Sequence, residues 1–216
     1  MSNKLPDYIV VEGPIGVGKS SLAIRLAEDF KSELILEEVA DNPFLEQFYQ
    51  RPREAALSTQ LSFLLQRAKQ IQNLRQGSIF NHSKIADYLI EKDQLFAQVT
   101  LTASEYELYQ QVYQHLMVES PKPDLVVYLQ APVSTLLERI KKRGRHFERF
   151  IEAGYLEQLN EAYADFFYHY EDAPLLIVNA SNIDFINNQL DYEQLKAQIL
   201  STTGGRHYFN PLPFVS

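Results

Sequence analysis

The run Gly13-Pro14-Ile15-Gly16-Val17-Gly18-Lys19-Ser20 constrains this chain more than any other stretch. It fits the pattern G-x-x-x-x-G-K-[ST]. It lies between a short apolar run, Tyr8–Val11, and a segment of helical character that opens at Ser20. A strand, a glycine-rich turn and a helix in that order form a cradle for phosphate. The glycines let backbone N–H groups face phosphate oxygens without interference from a Cβ. The helix that follows points the positive end of its dipole at the same place. In that setting the loop, with Ser21 beside it, binds the donor. Lys19 reaches the β- and γ-phosphates, and the Ser20 hydroxyl ligates Mg²⁺. The expected ligand is ATP or another nucleoside triphosphate. The competing reading, a glycine-rich turn with no ligand, is disfavoured by the spacing and the strand–helix context.

Downstream, short apolar runs alternate with long amphipathic stretches. Tyr8–Val11, Leu34–Leu36, Ile85–Leu89, Leu125–Leu129 and Leu175–Val178 read as strands buried on both faces. Segments 20–30, 54–76, 104–119, 134–142, 155–170 and 192–200 read as helices. This alternation predicts an α/β architecture of the P-loop nucleotide-binding kind: a doubly wound, five-stranded parallel sheet with helices on both faces. Ligands in such sheets bind at the carboxyl ends of the strands. No linker or repeat interrupts the pattern, so 1–216 reads as a single P-loop domain. The tail, about 203–216, reads as a loop.

Composition narrows the partners. With 216 residues, 45% hydrophobic and 22% charged, the chain has the make-up of an ordinary globular protein. Its net charge of −8 is a poor match to a nucleic-acid backbone. The absence of cysteine excludes disulfides, thiolate metal sites and a cysteine nucleophile. No apolar run approaches the ~20 residues of a membrane span. The expectations are a cytoplasmic protein, no membrane and no nucleic-acid partner.

The second charged feature is LLERIKKRGRHFE, residues 136–148. Arg139 and Arg143 are four residues apart on one helix face, and Arg145 lies just past Gly144, which ends the helix. Converging guanidiniums neutralise the charge that spreads over a phosphoryl group in transfer. A basic lid over about 139–149 is therefore expected to supply catalytic and donor-binding residues. The plainer alternative is a solvated helix C-terminus, where cations are favourable anyway. No Asn-Lys-x-Asp guanine signature is present. No long apolar strand ends in Asp, as an ATPase would have.

Taken together, GPIGVGKS, LEEVADNPFLEQFY, TQLSFLLQR and YLQAPVSTLLERIKKRGRHFE resemble the deoxynucleoside kinases over roughly Tyr8 to Tyr170. The resemblance implies that ATP, with Mg²⁺, phosphorylates the 5′-hydroxyl of a small-molecule deoxynucleoside. It points to a purine, because the pattern looks closest to bacterial deoxyadenosine/deoxyguanosine kinases. It also implies a homodimer. Glu37 matches the family's base at the end of the second strand, with Glu38 as its neighbour and rival. Gln60 matches the residue that reads the base edge. Arg67 lies two turns on and matches a partner of an acidic residue, here Asp93. Phe96 matches a ring that stacks on the base. Tyr49 and Glu148 match the pair that holds the 3′-hydroxyl, although Glu148 has an alternative partner in a lid arginine. Metal ligation falls to Ser20, Glu37 and Asp87.

One departure stands out. The family's third strand ends in Glu-Arg-Ser or Asp-Arg-Ser, whereas this chain reads Asp87-Tyr88-Leu89. Asp87 fills the acidic place, Tyr88 stands where the arginine would be, and Lys92 is one turn further on. Two other readings remain at this point: a monophosphate kinase of the thymidylate type, and a nucleotide-binding subunit without turnover.

Overall fold

A computed structural model describes residues 5–76, 83–116 and 121–211. Six parallel strands form one sheet: β1 (Tyr8–Glu12), β2 (Glu33–Ile35), β3 (Lys84–Ala86), β4 (Leu125–Gln130), β5 (Leu175–Asn179) and β6 (Arg206–Phe209). Their spatial order is β2-β3-β1-β4-β5-β6. Parallel strands need helical crossovers, which cover both faces and demand apolar residues throughout. The aliphatic runs meet that demand: Ile9, Val10, Val11, Val126, Val127 and Leu129 are all fully buried.

The helices are α1 (Lys19–Phe30), α2 (Leu45–Gln50), α3 (Pro52–Gln76), α4 (Lys92–Thr100), α5 (Ala103–Leu116), α6 (Val133–Arg143), α7 (Ala153–His169) and α8 (Gln189–Ser201). Aromatic residues of α7 seal one side of β4. The Phe167 ring lies 4.1 Å from that of Tyr128, and Tyr163 stacks 6.0 Å from it. The central strand β1 has β3 on one side and β4 on the other. The chain leaves it at the point where strand order reverses, so the loop after β1 opens into the crevice.

Several expectations are corrected. The sheet has six strands, not five, and residues 206–209 of the tail are a strand rather than a loop. β6 pairs with β5 from Leu175↔Arg206 to Val178↔Phe209. As an edge strand it needs burial on one side only, and Tyr208 is 71% exposed, so it has no aliphatic run. Residues 212–216 lie outside the described residues, as do 117–119 of the expected 104–119 helix. The third strand stops at Ala86 instead of Leu89. The Glu12 carboxylate accepts the Leu89 N–H at 2.6 Å and draws the chain out of the ladder. The short helices α2 and α4 were not anticipated.

Candidate active site

The glycine-rich loop takes the backbone shape that its sequence implies. Gly13, Gly16 and Gly18 have φ of 145°, 86° and 110°, a region that L side chains avoid. A Cβ at Gly16 would also stand 2.9 Å from the Leu136 carbonyl oxygen. Gly18 precedes α1 with no side chain capping the helix. Lys19 curls back, its ammonium donating to the carbonyls of Gly13 at 2.7 Å and Pro14 at 3.2 Å. Burial, aided by Lys92, lowers its pKa to about 8 against the opposing pull of Glu12, Glu37 and Asp87.

Beside this loop a pocket opens at the carboxyl ends of β2 and β3. Ile15, Gly16, Lys19, Ser20, Glu37, Tyr49, Gln60, Arg67, Asp87, Phe96, Arg143, Arg145 and Glu148 all line it. Residues separated by more than a hundred positions thus share one wall. Asp87 ties the glycine loop to the segment after β2: it accepts the Ser20 hydroxyl on one oxygen and the Glu37 N–H, at 2.7 Å, on the other. Glu37 turns into the pocket, while Glu38 is exposed. Arg67 pairs with one oxygen of Glu37, and Lys92 donates to the other at 3.0 Å. Burial pushes the Glu37 carboxyl up, but Lys92, Arg67 and Lys19 outweigh it and hold the pKa at about 2.

At the inner end, Arg67 also forms an ion pair with Asp93, which is fully buried behind it. Asp93 is therefore not among the lining residues, and it acts on the pocket through Arg67. Gln60 is buried, and its amide nitrogen donates to the Thr100 hydroxyl at 3.2 Å. That hydroxyl donates in turn to the Phe96 carbonyl at 2.7 Å, which fixes it as the acceptor for Gln60. Phe96 both lines the pocket and packs edge-on against Tyr163 at 6.0 Å.

The outer end is formed by the segment expected to act as a lid. Helix α6 stops at Gly144, with φ of 71°, and a short 3₁₀ turn, His146–Phe150, follows. Glu148 is buried and accepts from Arg143 Nε at 2.9 Å and Nη2 at 2.6 Å, with Arg145 at 3.5 Å. The lid-arginine partnership weighed for Glu148 is thus the one present. Tyr49 stacks on Phe147 at 6.4 Å, and burial raises its pKa. Arg139 does not converge with the others. Its guanidinium donates to the Val17 and Ala180 carbonyls, at 3.1 and 2.7 Å, and faces a second cleft. That cleft is bounded by Gly18, Ser21, Arg139, Lys142 and residues 181–187.

Sequence reasoning missed the apolar and hydroxyl part of this wall, Val39, Leu45 and Phe48 included, and the buried Glu12 behind it. Thr59, Phe63 and Tyr155 lie on anonymous helix faces. Glu12 is fully buried and accepts hydrogen bonds from the Gly13 N–H at 2.8 Å, the Leu89 N–H and the Tyr163 hydroxyl at 2.9 Å. An acid ending an apolar strand, directly before the first loop glycine, was the available signal. Tyr88 turns away from the pocket and donates to Gln70 on α3, leaving Lys92 as the cation near Glu37.

Among the described residues, no three His, Cys, Asp or Glu side chains form a cage for a metal ion. The Ser20–Asp87–Glu37 group is all oxygen and carries two carboxylates. That suits Mg²⁺, which binds through one or two carboxylates together with substrate phosphates.

A family model described as deoxynucleoside kinase matches residues 9–203. The chain is 38% identical to a deoxyguanosine kinase of Bacillus subtilis over 201 residues, covering 89% of this chain and 95% of the relative. It is 30% identical to a deoxyadenosine kinase of Lactobacillus acidophilus, covering 88% and 94%. Among solved structures, a deoxyadenosine kinase from M. mycoides with bound dATP superposes with a TM-score of 0.77 at 28% identity, covering 90% of this chain and 99% of that one. The same enzyme has also been solved with the products dCMP and a flexible dCDP, again with a TM-score of 0.77.

Proposed function

From the premise that this chain belongs to the deoxynucleoside kinase family, we propose that it phosphorylates the 5′-hydroxyl of a purine deoxynucleoside with ATP, using Glu37 as base. The observation that carries the mechanism is the placement of Glu37. Its carboxylate lies in one pocket with the loop lysine, the Ser20–Asp87 pair and the lid arginines.

The acceptor enters between α3 and α4. Gln60 meets the base edge with an amide whose orientation Thr100 sets, and Arg67 adds donors held flat by Asp93. Phe96 supplies a ring face, and stacking of this kind is worth ~1–3 kcal/mol per base. Tyr49 and Glu148 hold the sugar's 3′-hydroxyl, which requires Glu148 to share itself between the sugar and Arg143. Glu37 then accepts the proton of the 5′-hydroxyl as its oxygen attacks phosphorus. The donor's phosphates lie on the glycine loop and its base in the second cleft, beside Arg139. Arg143 and Arg145 balance the charge on the moving phosphoryl group. Ser20, Asp87 and Glu37 are the residues that would hold Mg²⁺, which supplies charge neutralisation to the phosphates.

The purine preference rests on the names of the relatives, deoxyguanosine and deoxyadenosine kinases. A homodimer is the expected assembly. It would cover Leu65 on α3 and Leu108 on α5, which are 57% and 48% exposed on helices that pack together. Light scattering should then give twice the 25.0 kDa chain mass; a mass of one chain at micromolar concentration counts against it. Among the described residues no helix is long and apolar enough to cross a membrane, and the cytoplasm is the proposed location.

Incubation with Mg-ATP and each of the four deoxynucleosides tests the reading. Deoxyguanosine or deoxyadenosine should give the 5′-monophosphate with the highest kcat/KM. A preference for thymidine would refute the purine assignment. Phosphorylation of thymidine monophosphate alone would refute the acceptor class.

A further inference from the structure

Lys92 donates to Glu37 and helps keep it ionised, but none of the roles assigned above gives it a contact with substrate. It opens α4 and is only 3% exposed, yet its ammonium lines the pocket. Its Nζ lies 3.0 Å from Glu37 Oε2 and 4.0 Å from Glu12 Oε1. The Phe96 and Tyr88 rings stand 5.6 and 6.0 Å away.

Stability does not explain a cation in this place. Removing an ammonium from water costs several kcal/mol, and buried pairs are often replaceable by apolar groups without loss. Of the neighbouring carboxylates, Glu12 does not depend on it, whereas Glu37 is held ionised by Lys92 together with Arg67 and Lys19. Glu12 already accepts three hydrogen bonds, from two backbone N–H groups and a tyrosine hydroxyl. Arg67 occupies the other oxygen of Glu37, so Lys92 is free to use its remaining donors toward the pocket. What Lys92 adds is a second ammonium in the pocket that Lys19 lines. It faces the space into which Glu37, Ser20 and Asp87 also point. The two ammoniums line one pocket and repel each other, and an anion that reached both would relieve that repulsion. Lys19 serves the donor side, on the glycine loop. Lys92 approaches from the acceptor side, through the base.

We propose that Lys92 is a catalytic cation of this enzyme, contacting the phosphoryl group as it passes from the donor to the hydroxyl held by Glu37. The inference rests on the kinase reading above. In the step itself the 5′-oxygen forms a bond to the γ-phosphorus, and the bond from that phosphorus to the β,γ-bridging oxygen breaks. The hydroxyl proton goes to Glu37, and the nucleoside diphosphate leaves. Lys92 keeps its proton throughout and contributes charge alone. Tyr88, whose hydroxyl is committed to Gln70, cannot substitute for it.

Steady-state kinetics on Lys92→Met, Lys92→Arg and Lys92→Ala, with a thermal melt of each, test this. Lys92→Met should lower kcat by ~10²–10³-fold, the loss typical for one removed transition-state donor. The deoxynucleoside KM should move less than about threefold, because the interaction belongs to the transition state. Lys92→Arg should fall between, at about tenfold below the unaltered chain, since a guanidinium has the charge but not the geometry. Turnover by Lys92→Ala should rise with added ethylammonium and saturate. A kcat for Lys92→Met within about threefold of the unaltered chain, or a loss confined to KM, would overturn the proposal. If both truncations melt below the assay temperature, Lys92→Arg decides: an unchanged kcat overturns the proposal, and a tenfold loss with unchanged KM and melting point supports it. An unaltered chain with no activity toward any deoxynucleoside would instead sink the kinase reading itself.

Discussion

Lys19 and Glu37 show how single side chains carry opposite electrostatic burdens in one pocket. Burial and the nearby Lys92 bring the Lys19 pKa down to about 8, while three cations hold Glu37 at about 2. A polyphosphate beside Lys19 favours its charged form, so the bound pKa lies above the free one. Binding of ATP must then take up a proton once pH exceeds 8. The expected outcome is a dissociation constant for ATP that is flat below pH 8 and rises between pH 8 and 10. Calorimetry in two buffers of different ionisation enthalpy at pH 9 should report the proton uptake; a constant affinity across that range would contradict it. The glycine loop, Lys19, Ser20 and the lid arginines were legible because each belongs to a contiguous pattern with a physical purpose. Glu12 was not, because its three partners come from the loop, the segment after β3 and α7, which are remote in sequence. Arg139 was legible as a lid cation but not in its aim. Sharing a helix face with Arg143 fixes a direction only to within a quarter-turn, and the carbonyls of Val17 and Ala180 claim its donors.

The lid hangs on the turn at Gly144, which joins α6 to the 3₁₀ turn bearing Glu148. With φ of 71° and nothing within 4 Å of a built Cβ, the site has room for a side chain but not the backbone freedom for one. Gly144→Ala should therefore cost about 1 kcal/mol through conformation alone, the left-handed penalty of an L side chain. For a chain of this size that lowers the melting point by ~2–4 °C. The turn carries Arg143 toward Glu148, so kcat should fall as well. A melting point equal to that of the unaltered chain would show that the turn tolerates alanine. Long elements such as α3 and β4 were legible from periodicity and aliphatic runs. The short ones were not. Helix α2 is only six residues and α4 nine, too short for a period to declare itself. Strand β6 is paired on one side only, and Arg206-His207-Tyr208-Phe209 gives no apolar signal.

At the scale of the whole molecule, one parallel sheet fixes which distant segments meet. Placing β1 between β3 and β4 brings the loop after β1, the carboxylates after β2 and β3, and the lid after β4 to one edge. The alternation of strands and helices made this arrangement legible, and the deoxynucleoside kinase resemblance named which residues would share the crevice. The pairing of Glu148 with a lid arginine was open in the sequence because the two lie five residues apart, whereas pairings such as Arg67 and Lys92 with Glu37 depend on tertiary geometry that no local pattern encodes. The central claim is that Glu37 is the base in a phosphoryl transfer to a deoxynucleoside. Its most direct test is single-turnover formation of labelled deoxynucleoside monophosphate by the unaltered chain and by Glu37→Gln, with ATP binding measured in parallel. The account predicts a rate ~10²–10⁴-fold lower for Glu37→Gln, as for loss of a general base, with ATP affinity retained. An unchanged rate in Glu37→Gln, with the unaltered chain active, would contradict it.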